Sequence, residues 1–142
     1  MKNINLFVYG SLREGFFNYD KYLDGKVEKI KKAKLNKMKL YHMPYKGYPA
    51  ITYGEDEVLG EIIVVKDEDY DSTIKAIDEM EGFKGEGNPE NEYHKILLEV
   101  ENIETKEKEN CFVYFYNKDL DKIFESEAVY IPDGDWKKYM LK

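Results

Sequence analysis

The sequence predicts an α+β fold whose mainly antiparallel sheet can curl into a small barrel. Three observations lead there. Segments rich in β-branched and aromatic residues outnumber helical ones. The stretches between them are suited to hairpins rather than to long crossovers. One segment, residues 67–81, carries the clearest helical period. The chain of 142 residues suits a single domain spanning 1–142, with no internal repeat, linker or low-complexity tract.

Residues 4–9 form a short apolar run closed by Gly10, the pattern of a buried strand. Residues 16–23 fit a short helix, with Asn18 as its expected cap. Ala33, Leu35, Met38 and Leu40 alternate with polar residues but slip phase after Leu35, which predicts a bulge or a turn. Residues 43–54 hold Pro44, Gly47, Pro49 and Gly54 and read as a loop; 58–65 read as a strand. The helix over 67–81 has Asp67 or Asp69 to cap its start and Gly82 to stop it. Residues 84–92 read as a mobile polar loop. Residues 93–100 and 111–116 read as strands of a hairpin with a charged tip, and "PDGDWKKYML" as a turn and a short helix.

A net charge of -7 argues against non-specific nucleic-acid binding, which needs a basic face. The lysines of 26–39 alternate with apolar residues, as on the solvent side of strands. A single cysteine, Cys111, excludes an internal disulfide. The first apolar run is too short for a secretion signal or a membrane span, so the expected setting is cytoplasmic. His42 and His94 are the only histidines, no Cys/His cluster has zinc spacing, and no phosphate-binding or dinucleotide fingerprint is present.

Two places break local rules. Successive helical residues rotate by about 100°, which puts Glu81 on the same stripe as Tyr70, Ile74 and Ile77. Its carboxyl should face the core, in the last turn of the helix and one turn after Asp78. Burial, helix dipole and like charge all favour its protonated form, which suits a general base. The plain alternative is a helix that ends before Glu81. The second place is the strand end Tyr9-Gly10-Ser11-Leu12, followed by Arg13, the only arginine in the chain. A glycine there permits close approach and positive φ, and the turn can present amides to an anion. Arg13 can add a planar fork for a carboxylate or serve a structural pair.

Together these places resemble the γ-glutamylcyclotransferase-like superfamily. The chain looks most like its γ-glutamylamine cyclotransferases and small bacterial relatives. The matching pieces are Tyr9-Gly10-Ser11-Leu12, Ile77-Asp78-Glu79-Met80-Glu81-Gly82, Tyr93 and Gly134-Asp135-Trp136, in register over almost the whole chain. The resemblance implies a small mixed β-barrel flanked by helices. It implies Glu81 as catalytic acid/base and Tyr9, Gly10, Ser11 and Leu12 as a substrate cradle, with Arg13 and Tyr93 as further substrate-binding candidates. The implied reaction is attack of the α-amine of a γ-glutamyl group on its own γ-carbonyl, giving 5-oxoproline and a free amine or amino acid, with no metal and no cofactor. The implied partner is a small γ-glutamyl molecule, with no nucleic acid and no membrane.

The chain departs from the resemblance in three places. His94-Lys95 follows Tyr93 where many relatives carry arginine, Ile77 replaces a commoner leucine, and residues 84–91 are longer and more polar. These bear on substrate more than on fold. The alternative function is a binding module that holds a small γ-glutamyl or carboxylate ligand without turnover. A hydrolase, with Glu81 activating water, is a more distant one.

Overall fold

The computed structural model describes residues 3–141. One six-stranded sheet organises them. The strands are β1 (Leu6–Val8), β2 (Val27–Met43), β3 (Tyr48–Val65), β4 (Tyr93–Asn102), β5 (Lys108–Tyr116) and β6 (Val129–Ile131). Their order is β3-β1-β5-β4-β2-β6, and β2 also pairs with β3. That pairing closes five strands into a barrel, with β6 added outside the ring along β2. Only β1 and β5 run parallel, at Leu6 and Phe112; every other pairing is antiparallel. The expected α+β class and mixed barrel are both present.

The helices are α1 (Phe17–Tyr22), α2 (Tyr70–Met80), α3 (Phe124–Glu127) and α4 (Trp136–Met140). None of them is long and apolar enough to cross a membrane. A 3-10 turn at Asp67–Asp69 leads into α2.

The long hairpin β2–β3 is the largest departure from expectation. Residues 48–54, expected in a loop, belong to β3, and only 44–47 form the turn. Pro49 pairs with His42. Past Val8 no β1 residue pairs with β3, so the missing N–H of Pro49 costs no rung on that side. The expected phase slip is a bulge: the register shifts between Asn36 and Met38, around Lys37 at φ 60°.

Alternation along β1 divides two apolar cores. Phe7 and Tyr9 join Leu35, Leu40, Ile62 and Val113 in one core. Leu6 and Val8 face the other, where Ile74 and Ile77 of α2 and Tyr19 of α1 pack. Both faces of β1 are therefore buried, which explains its unbroken apolar run. The carboxyl-terminal motif plugs one side. Trp136 is buried and its Nε1 donates to His42 Nδ1 at 3.1 Å, while Asp135 caps α4 by accepting from Lys138 N–H at 3.1 Å. The expected caps at the other helix starts are absent. Asn18 lies inside α1, and neither Asp67 nor Asp69 caps with its side chain.

Strand β3 passes close over β1 at Gly60. A Cβ there would stand 2.2 Å from the Val8 carbonyl oxygen and 2.8 Å from Phe7 Cζ. A backbone oxygen cannot swing aside as a side-chain tip can, so the strands would have to separate. Gly60→Ala is expected to cost about 1–3 kcal/mol, the scale of overpacking a tight core. Denaturant unfolding of the purified variant checks this through a lowered midpoint at unchanged slope.

Candidate active site

A cavity of about 310 Å³ opens beside the end of β1. Its walls come from the loop after β1, from α1, from the end of α2 and from the first residues of β3 and β4. Tyr9, Gly10, Ser11, Leu12, Glu81 and Tyr93 all line it.

The loop owes its path to Gly10. Its φ is not positive, contrary to one expectation, but the close approach is real. A Cβ on Gly10 would meet Pro49 Cγ at 2.7 Å, against a ring that cannot rotate away. Arg13 N–H donates to the Gly10 carbonyl at 3.0 Å, and Tyr19 N–H of α1 donates to the Ser11 carbonyl at 3.2 Å. The Ser11 hydroxyl accepts from Asn18 Nδ2 at 2.7 Å. The loop is thus tied at both ends. Among the described residues, no acceptor meets the N–H groups of Gly10, Ser11 and Leu12. These are donors available to an anion or an oxyanion.

Glu81 reaches the cavity because of how α2 ends. Thr73, Ile74 and Ile77 are its buried stripe. Gly82 then adopts φ +71°, its N–H donates to the Glu79 carbonyl at 3.2 Å, and Phe83 N–H donates to the Asp78 carbonyl at 2.9 Å. This pair of bonds is the Schellman arrangement, which needs a left-handed residue just past the cap. Glu81 is that cap, at φ -78° and ψ -4°. It continues the buried stripe into the cavity, as its sequence position predicts.

No donor among the described residues meets the Glu81 side chain. Burial, the nearby Glu92 and then Asp78 push its carboxyl up to about 8. Asp78, three residues earlier, has the opposite surroundings: it accepts from Lys95 Nζ at 2.9 Å and from the Tyr114 hydroxyl at 2.6 Å. Lys95, two residues after Tyr93, is thus committed to Asp78.

The tyrosines frame the site. The Tyr9 hydroxyl donates to the Tyr114 carbonyl at 2.5 Å, and the Tyr93 hydroxyl to the Pro49 carbonyl at 2.6 Å. Burial holds both phenols far above their ordinary range, so they stay neutral. Arg13 is not brought to the cavity. Its Nη1 lies 3.1 Å from Asp135 Oδ1 and its Nε 3.5 Å from Glu61 Oε2. The lone guanidinium joins the first loop to a buried glutamate of β3 and to the carboxyl-terminal motif.

Sequence reasoning missed Glu92, Tyr48 and Asn18 as wall residues. Glu92 had a usable signal, a carboxylate directly before the strand-opening Tyr93. The segment 84–92, expected to be mobile, is pinned. Asn91 is fully buried, accepts from Lys84 N–H at 2.5 Å and donates to the Gly85 carbonyl at 2.9 Å. Among the described residues, no three His, Cys, Asp or Glu side chains converge as a metal centre would require.

Residues 6–138 match the family described as "Gamma-glutamyl cyclotransferase, AIG2-like". The chain belongs to this family. It is 33% identical over 140 residues to the gamma-L-glutamyl-butirosin B gamma-glutamyl cyclotransferase of Niallia circulans, covering 97% of this chain and 78% of that protein. The crystal structure of an uncharacterised Pyrococcus horikoshii protein superposes with a TM-score of 0.63 at 22% identity, covering 98% of this chain and 94% of the other. An Arabidopsis thaliana solution structure, At3g28950.1, gives 0.67 at 23% identity, over 99% and 74%. These two likenesses speak for the fold alone.

A carboxyl held at about 8 in the folded protein has a stability signature. Below an ordinary glutamate value of about 4.3, both folded and unfolded chains are protonated at this position. As pH rises toward 8, only the unfolded chain ionises, so the wild type loses stability over that window. Glu81→Gln removes the loss. The variant is expected to gain on the wild type as pH rises from about 4.5 to 8 and then level off. The gain should be about 2–4 kcal/mol after allowing for access of water through the cavity. Urea unfolding at several pH values checks it, and a gain independent of pH contradicts it.

Proposed function

We propose that this member of the cyclotransferase family converts a γ-glutamyl amine or γ-glutamyl amino acid to 5-oxoproline and the free amine, with Glu81 as acid/base. The observation that carries the reading is a single one. A carboxyl with no hydrogen-bond donor and a raised proton affinity faces a small cavity beside three uncommitted backbone amides.

The chemistry follows from those groups. The α-ammonium of a γ-glutamyl group stands beside its own ionised α-carboxylate and holds its proton more tightly than a peptide terminus does. A carboxyl raised to about 8 is a far better base for it than an ordinary glutamate of about 4.3. In its ionised form the Glu81 carboxylate takes one proton from the α-ammonium, and the freed nitrogen pair attacks the γ-carbonyl carbon. The carbonyl oxygen becomes an oxyanion, for which the Gly10, Ser11 and Leu12 amides are suitable donors. Glu81 returns its proton to the departing nitrogen and the C–N bond breaks. The second proton on the ring nitrogen passes to the released amine, so the lactam and an ammonium are the products. Both reacting groups belong to one substrate, so a cavity that holds it folded can supply on the order of 7–11 kcal/mol of the barrier. Neutral, backbone-tied Tyr9 and Tyr93 suit a rigid wall for that folded conformer.

The test is product formation from a panel of γ-glutamyl amines and γ-glutamyl amino acids, with 5-oxoproline quantified by mass spectrometry. The wild type should produce it. Glu81→Gln should lose roughly 10²–10⁴-fold, the scale of a general acid/base. Free glutamate in place of 5-oxoproline would point to hydrolysis. Binding of panel members without any product would point to a binding module.

A further inference from the structure

Glu92 lines the small cavity and also a second, larger one of about 550 Å³ that adjoins it. The larger cavity is walled by the β2–β3 turn on one side and by residues just after β5 on the other. Glu92 is anchored next to Glu81, since its N–H donates to the Gly82 carbonyl at 3.1 Å. Its Oε2 accepts from the Tyr48 hydroxyl and from Lys46 Nζ, each at 2.9 Å. The same ammonium stands 6.0 Å from the ring centroid of Tyr48 and 6.0 Å from that of Tyr116. A carboxylate and two aromatic rings thus surround one primary alkylammonium, an arrangement that attracts such cations. In the wall of the same cavity, Asp121 accepts from the Tyr116 hydroxyl at 2.6 Å and from the Tyr45 hydroxyl at 2.5 Å, and Lys122 is part of that wall.

The occupant of this cage is the chain's own side chain, carried on an exposed turn. Lys46 sits at the hairpin tip 44–47 and retains 29% side-chain exposure, so it can leave for water without disturbing the barrel. The cage adjoins the place where the leaving nitrogen must depart if Glu81 is the acid/base. We propose that Glu92, Tyr48 and Tyr116 form a leaving-group subsite for a second, distal ammonium, which Lys46 occupies until substrate displaces it. The substrate class is then a γ-glutamyl derivative of a diamine or polyamine. This rests on the cyclotransferase reading for turnover, though not for binding. Lys46 ends in a four-carbon alkylammonium, and a diamine with a similar spacer presents the same group to the same cage.

The experiment compares γ-glutamyl-1,4-diaminobutane with γ-glutamyl-pentylamine, which has a methyl group where the first has its distal ammonium. The readout is the ratio of their kcat/KM values within each protein. The wild type should favour the diamine derivative, chiefly through KM, by about five- to thirtyfold, as a cation in an aromatic cage implies. Lys46→Met removes the competing ammonium and should raise the ratio. Glu92→Gln should bring it close to one. A ratio near one in the wild type, or one lowered by Lys46→Met, overturns the subsite and leaves the role of Glu81 standing.

A second arm needs no turnover. n-Butylammonium is titrated into the Lys46→Met protein, and the ring resonances of Tyr48 and Tyr116 are followed by NMR. Saturable shifts are expected, weaker in the wild type and absent in the Lys46→Met/Glu92→Gln double variant. Ring resonances that do not move in Lys46→Met overturn the cage. Saturable shifts without 5-oxoproline from any substrate uphold the cage and overturn the acid/base assignment instead.

Discussion

The left-handed backbone of Gly82 is the constraint on which the site depends. At φ +71° it ends α2, and any side chain there would be strained. A Cβ would also press on Glu92 Cβ at 2.9 Å. Because the helix stops at this residue, Glu81 becomes its cap and lies along the buried stripe of Ile74 and Ile77 rather than on the solvent side. The same turn brings the Glu92 backbone against Gly82, so two carboxyl groups meet at one cavity. The fold then contributes the opposite wall, where Gly10 lets the β1 loop approach Pro49 of β3.

Two acids three residues apart illustrate how surroundings divide roles. Asp78 is bound by a lysine and a phenol. Glu81 has no donor and lies near two other carboxyl groups, and its proton is held to about 8. A carboxyl left without donors and with a raised proton affinity in a cavity is a recurrent sign of acid/base chemistry. The arrangement is costly to the fold, because a buried ionised carboxylate without a partner is destabilising. Arg13 serves the fold rather than the cavity. Its pairs with Glu61 and Asp135 tie the amide-bearing loop to β3 and to the carboxyl-terminal segment.

Much of this was legible in the sequence where a local rule is strong. The helical stripe ending in Glu81 and Gly82 needs only rotation per residue and the preference of glycine for positive φ. The β4–β5 hairpin and the bulge near Lys37 follow from alternation. What was not legible depends on distant partners. Pro49 and Gly54 look like loop residues, yet they sit in β3, because β1 stops at Val8 and demands no hydrogen bond from Pro49. Arg13 could have faced a ligand or a structural acid, and only the approach of residues 61 and 135 decides it. The 84–92 segment reads as mobile because the hydrogen bonds of Asn91 to Lys84 and Gly85 are invisible to composition. Glu92 escaped notice because its importance lies in adjacency to Glu81 across a turn. The strand and hairpin pattern allowed the sheet to curl into a barrel, and the family resemblance made a closed mixed barrel the expectation.

The central claim is that the cavity holds a proton on Glu81 at neutral pH. The most direct measurement is an NMR titration of the Glu81 side-chain carboxyl carbon in isotopically labelled protein, assigned by comparison with Glu81→Gln. A midpoint near 8, moving downward in Glu92→Gln as the neighbouring charge is removed, is the result the account requires. A midpoint near the ordinary glutamate value of about 4.3, unmoved by Glu92→Gln, would contradict it.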